Sequence, residues 1–381
     1  MPEKNFGKKI KVLHVVGGMN AGGLETLIMN IYRNIDREKI QFDFAVQTNN
    51  NCFYNNEILE MGGRIISHST PKSDLGKYKK ELEKTLIDYG PYDAIHSHVL
   101  FFSGIVLKIG KELGIPVRIS HSHNTSDSKQ NSLIRKIYRG TMRYRILKNA
   151  THLIGCSREA CEYVFGKSSF KLGTARHFPN AIDLTMYKSL SRNKRYLTDE
   201  LRISSDSTIL GHIGRFTKQK NHVFIINLFA AYLKKDPKAH LVLVGEGIEE
   251  DNIKRLVHEK NIEDRVHFLG LRSDIAHVLF SIDLFLFPSL YEGLGIVLVE
   301  AQAAGVPCVI SDVVPVEADL KIGLISRVSL SDDMKKWVCA IENTLEFNRQ
   351  SWGSIESALI TNGYDIKESS KTLTQLYSNG S

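Results

Sequence analysis

Short apolar strands alternating with helical stretches, in two successive series, constrain this chain more than any other feature. In the first series the strand candidates are KIKVLHVV (9–16), FDFAVQ (42–47), RIISH (64–68), YDAIHSH (92–98), PVRISH (116–121) and THLIGC (151–156). In the second they are TILGHIGRF (208–216), AHLVLVGEG (239–247), RVHFLG (265–270), IDLFLFPS (282–289) and PCVISD (307–312). Repeated βα units imply parallel sheets covered by helices on both faces. Two such series in 381 residues predict an α/β chain of two doubly wound, Rossmann-like domains. Ligands then bind beyond the carboxyl ends of the strands, between the domains. The polar stretch HFPNAIDLTMYKSLSRNKR (177–195) separates the series, which predicts domains over 1–185 and 186–362. IKESSKTLTQLYS (366–378) reads as an amphipathic helix.

Composition removes several classes. With 42% hydrophobic and 24% charged residues the chain is globular rather than disordered. Its apolar runs are too short to span a bilayer. MPEKNFGKKIKVLHVV places basic residues before an apolar run, as a signal peptide does, but the run is short and glycines follow it. It is expected to be the first strand. Cys52, Cys156, Cys161, Cys308 and Cys339 form no CxxC and are expected to be buried, reduced thiols of a cytosolic protein. The net charge of +8 is unevenly shared: residues 1–190 carry 28 Lys+Arg against 17 Asp+Glu, and the remainder 22 against 25. A basic first half points to an anionic partner.

Three motifs fall at predicted strand ends. GGMNAGGLETLIMNI (17–31) follows the first strand, and its glycines do not match GxGxxG. Gly22 and Gly23 precede an apparent helix, where the backbone can approach a phosphate. In GRFTKQKNH (214–222), Arg215 and Lys220 set two cations on the carboxyl edge of a sheet, which suits a diphosphate. Lys218 is expected to be solvated. In FPSLYEGLGIVLVEAQAAG (287–305), Glu292 lies in a turn and Glu300 one to two turns into a helix. The two acids alone suit surface charge, metal ligands, an acid/base pair or a grip on a nucleotide. The amides of Gly295, Ile296 and Val297 open that helix, where a phosphate can dock. Glu300 can accept hydrogen bonds from a ribose diol. No DxD triplet occurs and no His joins the acids at ligand spacing, which argues against a metal.

Histidines close two strands, in HSHV (96–99) and HSHN (121–124). His-x-His on a strand turns both rings to one face, as zinc sites do, yet no thiol or acid pair completes a tetrahedral set. His121 or His123 is better suited to bonding a hydroxyl or acting as a base. SKQNSLIRKIYRGTMRYRILKNA (128–150) holds Lys129, Arg135, Lys136, Arg139, Arg143, Arg145 and Lys148 and no acid. Leu133, Ile134, Ile137 and Tyr138 sit between the charges at helical spacing. An anionic membrane surface fits residues 129–148, a solvated helix face being the plain alternative. No nucleic-acid motif accompanies them, so no nucleic acid is expected.

Taken in order, GGMNAGGLE, HSHN, PNAID (179–183), GRFTKQKNH, LVGEG (243–247) and the E-x7-E element from Glu292 to Glu300 resemble the retaining glycosyltransferase family 4, of GT-B fold. The resemblance spans nearly the whole chain. VPVEADLKIGLISRVSLSDDMKKW (314–337) is similar to its exopolysaccharide and capsule branch. The resemblance implies that Arg215 and Lys220 hold the donor diphosphate and stabilise it as leaving group. It implies Glu300 on the donor ribose and Glu292 beside the transferred sugar. The Gly295 to Val297 amides would meet the sugar hydroxyls and phosphate, and Gly22 and Gly23 would approach the diphosphate from the other domain. It implies a histidine at the donor sugar or acceptor hydroxyl, His121 with His123 as the alternative. It also implies a C-terminal helix, 363–381, packed back on the first domain. The family often has Phe where Leu294 stands.

The expected function is a metal-independent, retaining hexosyltransferase moving a sugar from a nucleotide-sugar, with UDP preferred, to a lipid-linked glycan. The enzyme would lie on the cytoplasmic face of the membrane, in exopolysaccharide or capsule synthesis, and need no cofactor. A sugar-nucleotide epimerase of the same fold and a non-catalytic sugar-nucleotide-binding protein are the competing readings.

Overall fold

A computed structural model of the chain describes residues 9–125, 132–348 and 350–378. It divides into two compact units, Met1–Ala181 with Ile366–Ser381, and Ile182–Asp365. The first unit is built on β1 (Ile10–Val16), β2 (Ile40–Val46), β3 (Ile65–Ser67), β4 (Ala94–Ser97), β5 (Val117–Ser122), β6 (His152–Gly155) and β7 (Arg176–His177). All pair in parallel, in the order β3-β2-β1-β4-β5-β6-β7. The second unit carries β8 (Ile209–Ile213), β9 (His240–Val244), β10 (Val266–Phe268), β11 (Leu284–Phe287), β12 (Cys308–Ser311) and β13 (Ile325–Val328). Its parallel order is β10-β9-β8-β11-β12-β13.

Helices cover both faces of the first sheet, so its strands alternate between two cores. Val12, Val16, Phe42 and Phe44 face one; Leu13, Val15 and Ile95 face the other. Each such fully buried side chain contributes about 1.5–3 kcal/mol of transfer free energy. That is why these strands read as continuous apolar runs rather than alternating ones. In each sheet the strand order reverses once, between β1 and β4 and between β8 and β11. At such a switch point adjacent loops leave in opposite directions and open a crevice at the carboxyl edge. The loops opening there are the glycine stretch after β1, the segment from His98 after β4, GRFTKQKN after β8 and SLYEGLG after β11.

Two strands are not visible in the apolar pattern. β7 has only two residues, and β13, ISRV, is a half-buried edge strand whose arginine breaks its apolar run. The terminal helix Ile366–Ser378 packs on the helix Gly23–Asn34 and on β1, placing Leu373, Leu376 and Tyr377 in the core of Val12. Four of the five cysteines are buried, but Cys339 is exposed on the helix Met334–Leu345, contrary to expectation. Among the described residues no helix is long and apolar enough to cross a membrane.

The basic stretch forms the helix Leu133–Asn149, with Ser132 accepting from the Arg135 amide as its cap. Lys129 lies outside the described residues. Leu133, Ile134 and Ile137 are 73%, 81% and 61% exposed, so the apolar residues of its first turns are not core. Arg143 departs from the expected basic face: it turns inward and donates to the carbonyls of Tyr163 and Val164 at 2.8 and 2.9 Å.

Candidate active site

At the second unit's switch point, β8 runs out at Ile213 and the chain passes through Gly214, Arg215 and a 3-10 turn, Lys218–Lys220. Side chains and backbone stitch this turn to the loop after β11. Gln219 Nε2 donates to Tyr291 O at 2.9 Å, and its own carbonyl accepts from the Leu290 amide at 2.9 Å. Asn221, in the left-handed region at φ 58°, donates to Pro288 O at 3.1 Å. The two loops are therefore fastened to each other by side-chain and backbone bonds.

Lys220 is seated between them. Its Nζ lies 2.6 Å from Glu292 Oε1 and 4.6 Å from the centroid of the Phe287 ring, a charge-assisted bond with a cation–π contact. Its stem crosses Gly214 so closely that a Cβ there would lie 3.2 Å from Lys220 Cδ and Cε. Lys220 and Glu292 are 16% and 6% exposed, so the pair is shielded from solvent. The neighbouring Arg215 is exposed, and among the described residues its guanidinium has no hydrogen bond or ion pair. Lys218 is exposed as well, as expected.

The helix Ile296–Ala303 starts at Gly295, whose φ of 81° is a left-handed conformation. A Cβ at Gly295 would also lie 2.8 Å from the Phe287 ring. Leu298 is the first residue of this helix to bond backward, to Gly295 O at 2.8 Å. Among the described residues the amides of Gly295, Ile296 and Val297 make no backbone hydrogen bond, so the positive end of the helix is open. Glu300 is half-buried on the next turn with no hydrogen-bond partner among the described residues, and burial raises its carboxyl to about 7. An unpartnered carboxyl in that state is ready to bond a ligand hydroxyl. Gln302, two residues on, holds the segment after β12 by bonds to Ala318 O and the Leu320 amide at 2.7 and 3.0 Å.

In the first unit, Gly22 caps the helix Gly23–Asn34 and Gly23 is its first residue, so this helix begins before the TLIMNIYRNI stretch that signals it in the sequence. The two histidine pairs are not separate features. The pairing of β4 with β5 sets His96, in β4, and His98, just after it, beside His121, in β5, and His123, just after it, and His14 of β1 joins them. His98 bonds His14 at 3.0 Å and His123 at 2.9 Å; His96 bonds His121 at 3.2 Å and Tyr377 Oη at 2.8 Å. Burial drives His14 and His123 down to about 3, and burial with neighbouring imidazoles holds His96, His98 and His121 well below their ordinary value. All five rings are neutral at pH 7.

His14, His96 and His98, and likewise His98, His121 and His123, bring ligand atoms within 4.8 Å of one another. Most of the facing nitrogens are already bonded to each other, and no acid or thiol belongs to either group. The set is a hydrogen-bonded ladder rather than a site with an anionic ligand to balance a divalent charge.

The structure thus gathers Arg215, Lys220, Glu292 and Gly295–Val297 around joined loops, with Glu300 one turn further on, in the second unit. It places Gly22, Gly23, His121 and His123 in the first. Sequence reasoning missed Gln219, Asn221 and Phe287, which fix Lys220, and His14 and Tyr377, which complete the ladder. A polar His14 inside an apolar strand was the available signal.

Residues 193–327 match the family model "Glycosyl transferases group 1", and residues 21–186 match "Glycosyltransferase Family 4". The chain is 35% identical to "Putative glycosyltransferase EpsF" of Bacillus subtilis, over 96% of each chain. It is 25% identical to "Capsular polysaccharide biosynthesis glycosyltransferase CapH" of Staphylococcus aureus, over 97% of this chain and 98% of that one. Among solved structures, Anabaena HepE in complex with UDP and glucose superposes with a TM-score of 0.79 at 18% identity, over 97% of this chain and 99% of that one.

Proposed function

This chain belongs to the glycosyltransferases, in family 4 with the GT-B fold, and on that premise we propose that it moves a sugar from UDP to a lipid-linked glycan during bacterial exopolysaccharide or capsule synthesis. The names of CapH and of the UDP-bound HepE support the pathway and the nucleotide. One arrangement carries the chemistry: an exposed Arg215 that makes no ion pair among the described residues, a pinned Lys220 and the open amides of Gly295 to Val297. As the bond from anomeric carbon to phosphate oxygen breaks, UDP leaves with the electron pair. The acceptor oxygen bonds the anomeric carbon, with configuration retained, and gives up its proton. Negative charge therefore grows on the diphosphate, where fixed cations and helix amides stabilise it without reorganising.

In this proposal Arg215 forks onto the diphosphate and Lys220 supplies a point charge, a role that a metal ion fills in other transferases. Glu300 accepts the ribose hydroxyls. Glu292 lies beside the transferred sugar and keeps Lys220 in place. Gly22 and Gly23 approach the phosphates, and His121 or His123 bonds a sugar or acceptor hydroxyl. The helix Leu133–Asn149 supplies the membrane contact: exposed Leu133, Ile134 and Ile137 enter the interface, and Arg135, Lys136 and Arg139 meet anionic headgroups.

The test is transfer itself. Purified protein is incubated with UDP-, GDP- and ADP-sugars and anionic vesicles carrying a lipid-diphosphate saccharide. Mass spectrometry should show the acceptor enlarged by one hexose unit with a UDP-sugar. Neither transfer nor donor hydrolysis from any sugar nucleotide would refute the proposal.

A further inference from the structure

We propose that Tyr377, on the terminal helix, sets the hydrogen-bonding sense of His121 through His96, so that His121 meets a ligand oxygen as an N–H donor and not as a base. Tyr377 is fully buried, and its hydroxyl lies 2.8 Å from His96 Nδ1. Among the described residues that hydroxyl has no other hydrogen-bond partner. A phenol O–H is a stronger donor than an imidazole N–H and an imidazole nitrogen a better acceptor than a phenol oxygen, so the bond is stronger when Tyr377 donates, whereas the reverse sense would leave the buried phenol O–H without an acceptor among the described residues. Tyr377 therefore donates. A neutral imidazole whose Nδ1 accepts carries its proton on Nε2. His96 Nε2 then donates across 3.2 Å to His121 Nδ1, which places the His121 proton on Nε2 as well. That nitrogen is buried and has no partner among the described residues, so the ladder ends in an unused donor.

Burial holds both rings neutral, so the tautomer and not the charge decides what His121 offers. The parallel chain His14–His98–His123 has no such director. Among the described residues His14 Nε2 and His123 Nδ1 are both without partners, so its protons can sit in either sense. The two histidines that sequence reasoning leaves interchangeable thus differ chemically: His121 is a fixed donor, and His123 is free to accept. That the ligand oxygen belongs to a sugar or an acceptor rests on the proposed glycosyl transfer; the tautomer does not. Tyr377 touches no ligand in this account and is a positioning residue.

Long-range proton–nitrogen NMR of 15N-histidine-labelled protein at neutral pH, without substrate, reads the tautomers directly. His121 should be protonated on Nε2 in the native chain, and Tyr377→Phe, which keeps the ring packing, should give a mixture of tautomers. In the transfer assay Tyr377→Phe should lower kcat about fivefold with the donor KM unchanged. His121→Gln, which retains an N–H donor, should keep more activity than His121→Ala. A native His121 protonated on Nδ1, or the same tautomer in Tyr377→Phe, overturns the proposal. If no sugar is transferred by any form, the NMR result still decides it, and only the identity of the ligand falls.

Discussion

Lys220 Nζ lies 2.6 Å from Glu292 Oε1 and bridges two loops 72 residues apart. A cation proposed for the diphosphate is thus held by an acid proposed for the sugar, and each orders the other. Removing the carboxylate leaves the Lys220 ammonium shielded from solvent without this ion pair. Glu292→Gln should therefore lower stability by about 2 kcal/mol. Lys220→Met with Glu292→Gln should recover part of that loss. Urea unfolding of both singles and the double gives the coupling, expected at about 1–3 kcal/mol; strict additivity would show that the pair contributes nothing.

Arg215 is the opposite case. It is exposed, and no ion pair holds it among the described residues. Arg215→Ala should leave stability within about 0.5 kcal/mol of the native chain. The same change should weaken UDP binding about tenfold or more, since a charged fork on a phosphate contributes roughly 1.5–3 kcal/mol. Calorimetric titration beside a thermal melt separates the two. A large drop in melting temperature with unchanged UDP affinity would give Arg215 a structural role instead.

Glu300 makes stability depend on pH. Burial lifts its carboxyl from 4.5 to about 7, so between these values the folded chain binds a proton that the unfolded chain has lost. The stabilisation is complete below pH 4.5 and disappears as pH rises through about 7, a change of at most about 3 kcal/mol. Glu300→Gln cannot ionise there, so its stability relative to the native chain should rise across that interval and level off above about pH 8. Melts of both proteins from pH 4 to 9 should show the gap opening (roughly these limits follow from the linkage). A constant difference would mean that Glu300 ionises normally.

Vesicle sedimentation tests the helix Leu133–Asn149. Replacing Arg135, Lys136 and Arg139 by Glu should reduce binding to anionic vesicles by roughly a hundredfold or more, at about 1 kcal/mol per basic residue. UDP affinity should not change. Added salt should weaken native binding in the same direction. Equal partitioning of native and variant protein onto neutral and anionic vesicles would reject the membrane contact.

The sheets were legible because buried parallel strands need apolar residues on both faces, which leaves runs such as VLHVV and LVLV. β13 was not, because ISRV is a half-buried edge strand. Arg215, Lys220, Glu292 and Glu300 could be singled out from strand ends and a glycine turn. Their division of labour could not: that Lys220 is spent on Glu292 while Arg215 stays open depends on the register of β8 against β11. The histidine ladder escaped for a similar reason. HSHV and HSHN stand 25 residues apart in the sequence, and only the pairing of β4 with β5 brings His96 to His121.

The central claim is that two side-chain cations, without a metal, hold the donor diphosphate. Titration of UDP into the native chain and the Arg215→Ala, Lys220→Ala double variant, both in excess chelator, tests it directly. The account predicts that the native chain binds UDP unimpaired by the chelator and that the double variant binds at least a hundredfold more weakly, for two lost charged contacts of roughly 1.5–3 kcal/mol each. Equal binding by both proteins, or native binding that appears only when a divalent cation is restored, would contradict it.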